Sequence, residues 1–300
     1  MVKFLIACSG QSQRWDNYMG VAKHLIKING ERLLDRTIRL IRERAKEDYT
    51  INVIAFDEKY KANGSILQIP QYETQAEKDE HFANPFLYVS KRWWNSTGTT
   101  VILFGDVYFT EDAMDTIITS LYNLNNYAFY GRPDASTFTG CGYGEIFGVS
   151  FTRDYSDNLW NTILEVKKLK DENKIKRFIS WEVYRKLQLI DLDRHEIKNN
   201  FISIDDFTED FDYPHDYDLC VHDSLHTKFH MIKELLYFKK TNKEKFLIFF
   251  DDQNSESFWD YCFRLKLYEK TGFNVKWADG NNCAPNGHLG GFLKFEKNKV

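Results

Sequence analysis

The sequence predicts an α/β fold: a three-layer α/β/α sandwich in which helices cover a mostly parallel central sheet. Three observations carry that expectation. Apolar runs such as residues 2–8 (VKFLIAC) and 99–104 (TTVILF) are rich in branched residues and too short for surface helices, so they read as buried strands. Helical patterns separate the runs, and strand, helix and strand in that order imply parallel neighbours joined by a right-handed crossover. The two clearest runs end in Ser9-Gly10 and Gly105-Asp106, small and acidic residues at the edge where such sheets place ligands.

The elements follow in order. Residues 2–8 form the first strand, and the polar loop from Gln11 to Arg14 leads on towards a helix at 33–41. A second strand at 51–56 (INVIAF) completes the first parallel pair. Residues 57–84 are polar, with one strand at 65–69. A short helix at 85–94 is expected to pack over Trp93-Trp94, and the turn Asn95-Ser96-Thr97-Gly98 ends it. The strand at 99–104 is the clearest buried strand. Glu111 and Asp112 then mark the start of a helix at 111–124, where the helix dipole favours acids. Strands at 127–130 and 146–151 flank a glycine-rich segment, 131–144. Residues 157–190 read as one or two amphipathic helices with lysines outward. The segment 201–204 (FISI) precedes an acidic run, 205–218, and a helix at 219–239. The domain expected to carry the site is therefore 1–239. Residues 240–300 form an extension with strands at 245–250 and 273–277, a helix at 255–270 and a loop-like end. That extension is either a small βαβ layer added to the sheet or a separate interaction element.

Composition bounds the function. Three hundred residues suit one large domain or one with an appendage, and 43% hydrophobic with 28% charged residues is a soluble globular balance. A net charge of −4 argues against nucleic acid as a partner, since that task needs a basic surface. The five cysteines, an odd set without a C-x-x-C pair, fit reduced thiols. No segment of signal-peptide type opens the sequence, and no apolar run approaches the roughly 18 residues of a membrane helix. A cytoplasmic protein without a membrane partner is expected.

The richest stretch is 2–38. A small-residue turn after a buried parallel strand brings backbone N–H groups to the surface, where an anionic phosphate can be held. Arg14 and Lys23 flank the turn and can each add a positive charge. Ala7, Cys8, Ser9, Gly10, Arg14, Lys23, Gly30, Leu33 and Leu34 together resemble the N-terminal signature of nucleotidyltransferases with a glycosyltransferase-A fold. That group includes the sugar-1-phosphate, phosphocholine and molybdenum-cofactor enzymes, whose opening reads roughly Ala-Ala-Gly-x-Gly-x-Arg, then Pro-Lys some ten residues on. Ser12 stands where a second glycine is usual, and Ala22 where proline precedes the lysine.

The resemblance implies a Rossmann-like fold of the glycosyltransferase-A type and an enzyme that joins an NTP to a phosphorylated small molecule with release of pyrophosphate. Ala7 to Ser12, with Arg14, Lys23 and Gly105, would bind nucleotide. Arg14, Lys23 and Asp106 would be catalytic. Such chemistry calls for a divalent cation on oxygen ligands, Mg²⁺ here. Asp106, at the end of the central strand, is the first expected ligand, with Gly105 leaving room for nucleotide. The segment Asp212-Tyr213-Pro214-His215-Asp216 resembles the family's later acidic element and implies Asp212 as the second. Asp210 is a rival, because Glu209-Asp210-Phe211-Asp212 lets a small register shift exchange them; Asp216 would cap the helix after it. Glu145, Gly144 and Arg132 fall where the family contacts the acceptor. Aromatics near Trp93, Tyr143 and Phe147 could suit a quaternary ammonium.

Other readings stand beside this one. A glycosyltransferase of the same fold would use a nucleotide-sugar donor, although such enzymes usually carry Asp-x-Asp at this strand end and residue 108 is Tyr. A non-catalytic nucleotide-binding module is the second. His222, His226 and His230, four apart on an expected helix, could hold zinc; however, the protease pattern needs a glutamate after the first histidine, and Asp223 is there.

Overall fold

The computed structural model describes residues 1–212 apart from 29, 47 and 134–142, and beyond them the backbone of residues 245–250, 273–283 and 289–297. The chain divides into two compact units, Met1–Tyr213 and Pro214–Val300. The boundary expected at 239/240, the helices expected at 219–239 and 255–270, Asp216 and the three spaced histidines lie outside the described residues.

Seven strands build the sheet of the first unit: β1 (Val2–Ala7), β2 (Tyr49–Ile54), β3 (Ile66–Gln68), β4 (Thr99–Phe104), β5 (Tyr127–Arg132), β6 (Glu145–Phe151) and β7 (Phe201–Ser203). Their order is β7-β5-β6-β4-β1-β2-β3. Six run the same way, and β6 runs against its neighbours β4 and β5. This is the mostly parallel sheet expected. Its helices are α1 (Leu33–Arg44), α2 (Gln75–Ala83), α3 (Phe86–Val89), α4 (Glu111–Leu121), α5 (Ser156–Asp171) and α6 (Ser180–Leu187).

The three layers follow from the two-residue period of a strand, which sends alternate side chains to opposite faces. Phe4 and Ile6 of β1 pack with Leu34 and Ile38 of α1 and with Met114 and Ile117 of α4. Leu5, between them, belongs to the opposite core with Leu159 and Ile163 of α5 and Val183 of α6. A strand buried on both sides must be apolar throughout, hence the unbroken run at the start of the chain. Local signals set the helix starts. The Thr110 hydroxyl accepts from the Ala113 N–H at 3.0 Å to open α4. Residues 157–190 resolve into two helices, α5 and α6, with Asn173 in a left-handed conformation (φ 56°) just past the first.

Two stretches differ from expectation. Residues 75–83, read as irregular, form α2; its apolar positions are too few to show a helical period. A capping-box sequence, Thr74-x-x-Glu77, marked it nonetheless: the Thr74 hydroxyl accepts from Glu77 N–H at 3.2 Å, and the Glu77 carboxylate reaches one residue past the cap to accept from Glu73 N–H at 2.9 Å. In the second unit, β8 (Lys245–Phe250), β9 (Phe273–Cys283) and β10 (Leu289–Lys297) form their own sheet, with β10 central and antiparallel to both others. The end expected to be loop-like is thus largely strand. Register shifts between Trp277 and Asp279, and between Asp279 and Asn282, let β9 carry its glycine and asparagines.

The register that matters for the site is that of β1. Ala7 lies level with Ile54 on one side and Phe104 on the other, so three parallel strands end together. Past those ends Gly105 N–H still donates to the Ala7 carbonyl at 3.1 Å. A Cβ at Gly105 would lie 2.4 Å from Cys8 Sγ and 2.8 Å from the Ala7 oxygen. Gly105→Ala should therefore cost about 1–3 kcal/mol in urea unfolding, the range for overpacking a tight interior site; an unchanged midpoint would contradict this account of the glycine.

Candidate active site

The loop after β1 is held in a shape its sequence does not favour. Ser12, Asp16 and Asn17 all have positive φ, at 50°, 47° and 51°. Ser12 thus takes the left-handed conformation that glycine would adopt at that position. Ala22 has φ −66° and ψ 144°, the torsions a proline would impose. Both departures from the resembling signature keep the backbone of the usual residue. Trp15, fully buried, pins the loop by donating from Nε1 to the Val21 carbonyl at 2.9 Å. Its neighbour Arg14 stays 58% exposed.

The acidic segment after β7 is drawn back across the sheet edge by a short ladder. Glu209–Asp210 pairs antiparallel with Val107–Tyr108, and Phe211 N–H donates to the Asp106 carbonyl at 2.9 Å. Arg132, buried at the end of β5, fixes the ladder by binding the Glu209 carboxylate, and it also donates to the Tyr143 carbonyl at 3.2 Å. Asp212 is thereby brought opposite Asp106. The Lys23 ammonium joins the two: it is paired with the Asp106 carboxylate and lies 3.4 Å from Asp212 Oδ1. Arg14 Nη1 meets the other Asp212 oxygen at 2.6 Å. Four residues separated by up to 198 positions converge on one point.

The protonation states follow from this crowding. Burial works to raise the Asp106 carboxyl, but the neighbouring Lys23 charge and hydrogen bond outweigh it and hold the group below the usual range. Burial works to lower Lys23, and Asp106 chiefly reverses that, so the ammonium persists. Asp210 is pushed well up, first by burial and then by the charge of Asp106. Glu145 is raised to about 6, mainly by burial, with Asp212 and Glu209 adding to it. His24, buried beside Lys23, is lowered to about 4 and is neutral near pH 7.

A cavity of about 530 Å³ opens at this edge. Ala7, Ser9, Gly10, Gln11, Ser12, Arg14, Lys23, Asp106, Asp210, Asp212 and Glu145 line it, so most of the expected residues share one space. Four do not reach its wall. The Cys8 side chain belongs to the core below β1, and Gly105 leaves room for Cys8 and Ala7 rather than for a nucleotide. Gly144 lies off the wall, and Arg132 spends its guanidinium on Glu209 and Tyr143. Sequence reasoning missed the opposite wall, made by His81, Phe82, Pro85 and Phe86 around α2 and α3 and by Ile179 and Trp181 at the start of α6. The Thr74/Glu77 capping box was the available signal for α2. Nothing local marked α6 as a wall.

The donor set suits a hard divalent cation. Asp106 and Asp212 already face a shared cationic nitrogen, and both offer carboxylate oxygens. Among the described residues no group of three or more His, Cys, Asp or Glu side chains forms a cage. An ion here would keep the waters and substrate oxygens that Mg²⁺ prefers to an all-protein shell.

No family model matches the sequence, and a search of curated proteins finds no match. Among solved structures the chain is similar to a Bacillus anthracis protein assigned as a glucose-1-phosphate thymidylyltransferase (12% identity, 77% of this chain and 99% of that one, TM-score 0.48). It is also similar to a UDP-glucose pyrophosphorylase complexed with UDP-glucose (8% identity, 72% and 96%, TM-score 0.48). A third is the CTP:phosphocholine cytidylyltransferase of Streptococcus pneumoniae (18% identity, 72% and 96%, TM-score 0.42). Likeness at this level assigns no activity, and the chemistry rests on the residues of the site. Among the described residues no helix is long and apolar enough to cross a membrane.

The Glu145 carboxyl supplies a test of the electrostatics. Its folded value of about 6 lies above that of an unfolded glutamate, so the folded state binds the proton more tightly. Stability should therefore fall as pH rises through the window between those values. Glu145→Gln removes the effect. Relative to the wild type it should gain up to about 2 kcal/mol between pH 4 and pH 7 in urea unfolding, and parallel stability profiles would refute the burial.

Proposed function

We propose that this chain is a Mg²⁺-dependent nucleotidyltransferase that transfers NMP from an NTP to a phosphorylated small molecule and releases pyrophosphate. The observation that carries the reading is the meeting of Arg14, Lys23, Asp106 and Asp212 at the carboxyl edge of β1 and β4, on the wall of a cavity large enough for a nucleotide. Transfer moves negative charge onto the leaving pyrophosphate, and a site for it must supply positive charge there without excess charge beforehand. Here each cation is matched to a carboxylate. A metal–NTP complex offers the reciprocal pair, phosphates for Arg14 and Lys23 and a cation for Asp106 and Asp212, so exchange leaves no buried charge unpaired.

An oxygen of the acceptor phosphate attacks the α-phosphorus in line. The new P–O bond forms as the bond to the β-phosphate bridge breaks, and the electron pair leaves with pyrophosphate. The acceptor is already ionised near neutrality, so no protein nucleophile is required. Lys23 and Arg14 bind and orient the phosphates, and the loop from Ser9 to Ser12 approaches them with its backbone N–H groups. A bound Mg²⁺, held by Asp106 and Asp212, would supply charge neutralisation at the α-phosphate. Glu145, another carboxyl of the wall, contacts the acceptor. A glycosyl-transfer reading would call for a second carboxylate two residues past Asp106. Tyr108 is there, with Arg36 over its ring at 4.4 Å.

The test is pyrophosphate release with each of four NTPs against a panel of phosphorylated acceptors. One productive pair is expected, with turnover abolished by EDTA and restored by Mg²⁺. Asp106→Asn should lower kcat at least ~100-fold with that pair. Pyrophosphate-free turnover of a nucleotide sugar, or an Asp106→Asn enzyme of near-normal rate, would overturn the assignment.

A further inference from the structure

One polar chain in the cavity wall is not used by the chemistry above. Arg92 Nη2 donates to the Tyr72 hydroxyl at 2.8 Å. Tyr72 is bonded to Nδ1 of His81, and His81 Nε2 lies 2.9 Å from the Ser9 hydroxyl. Arg92 and Tyr72 stand at the surface end, while His81 and Ser9 are 5% and 4% exposed. Ser9 and His81 both line the cavity.

The direction of this chain follows from its outer end. A guanidinium only donates, so the Tyr72 oxygen accepts from Arg92. Of the two groups bonded to the Tyr72 hydroxyl, only His81 Nδ1 can take its proton. A neutral imidazole that accepts at Nδ1 carries its proton on Nε2 and must donate there. Burial keeps this ring neutral, its value lowered to about 4. Ser9 Oγ is thus an acceptor from His81, and its own proton is left for the cavity.

We propose that Ser9 is a specificity-determining residue that presents its O–H to an acceptor atom, a carbonyl oxygen or ring nitrogen, on the edge of the bound nucleobase, and that Arg92, Tyr72 and His81 are positioning residues that fix the direction of that donor. The proposal rests on the nucleotide-binding reading of the cavity. The wall beside His81 suits a planar, uncharged ring, because Phe82, Pro85 and Phe86 line it while the cationic Arg14 and Lys23 are committed to Asp106 and Asp212. A donor fixed by a buried relay discriminates between bases better than a freely rotating hydroxyl. A base that offers a donor at that point would leave two hydrogens facing each other.

Two measurements test it. Calorimetric titration of the full chain with the Mg²⁺ complexes of ATP, CTP, GTP and UTP should find one preferred base. Ser9→Ala should then weaken binding of that NTP about tenfold and narrow the spread among the four. Tyr72→Phe, a surface change that keeps the ring, should narrow the spread with a smaller loss. Nitrogen NMR of His81 should show Nε2 protonated and Nδ1 bare in the wild type. A wild-type spread in both variants, or a proton on Nδ1, overturns the proposal and leaves the proposed function standing. Failure of the wild type to bind any of the four overturns both.

Discussion

The nearly buried ammonium of Lys23 is the interaction on which the site depends. A cation with 10% of its side chain exposed must be paired, and breaking such a pair from one side costs about 3–5 kcal/mol. Its partners come from separate segments: Asp106 from the end of β4 and Asp212 from the stretch after β7. Each has its own support. The level ends of β1 and β4 set Asp106, whereas Asp212 depends on the short ladder at Val107–Tyr108 and on the Arg132–Glu209 pair that anchors it. Arg132 does not reach the cavity wall, yet it holds the backbone that delivers the second acid.

Charge balance explains why so many carboxyls can share this edge. Asp106, Asp210, Asp212 and Glu145 all line the cavity, against Arg14 and Lys23. Four ionised acids would repel one another at such range. The structure pushes them apart: the Lys23 charge outweighs burial and lowers Asp106, whereas burial and the Asp106 charge push Asp210 well up. Environment moves chemically identical groups in opposite directions. Asp210 and Asp212 differ in geometry: Asp212 pairs with Arg14 and Lys23, while Asp210 sits in the ladder.

Much of this was legible because the strands are buried on both faces. A strand covered by helices above and below requires an unbroken apolar run such as residues 2–8, and the residues closing each run mark the ligand edge. Asp106 could be singled out on that basis, as could the loop between Ser9 and Arg14, whereas Lys23 was reached from the turn it flanks and from the family resemblance. Roles that depend on what lies across a gap were not legible. Gly105 looked like clearance for a ligand, but its nearest neighbour is Cys8, a fact of strand pairing that no local pattern records. Arg132 looked like an acceptor contact, because nothing near it in sequence announces Glu209. The helix α2 hid behind a polar composition, and with it His81, whose partners Ser9 and Tyr72 come from separate segments.

The loop that carries Arg14 shows how local preference and packing are traded. Three non-glycine residues in left-handed conformation, Ser12, Asp16 and Asn17, each cost on the order of 1–2 kcal/mol, less for the Asp and Asn. A buried Trp removes some 150–250 Å² from water, worth about 4–6 kcal/mol. Trp15 is fully buried within this loop, with Tyr18 edge-on to it at 5.4 Å. The two sums are of the same size, so the loop is neither strongly favoured nor free. Its shape follows from where one indole is buried, and that same indole aims its neighbour Arg14 at Asp212. Substitution of glycine at position 12 would relieve strain without altering this aim, because the direction is set by Trp15 and its bond to Val21. The serine is tolerated since the anchor, not the turn residue, decides the conformation.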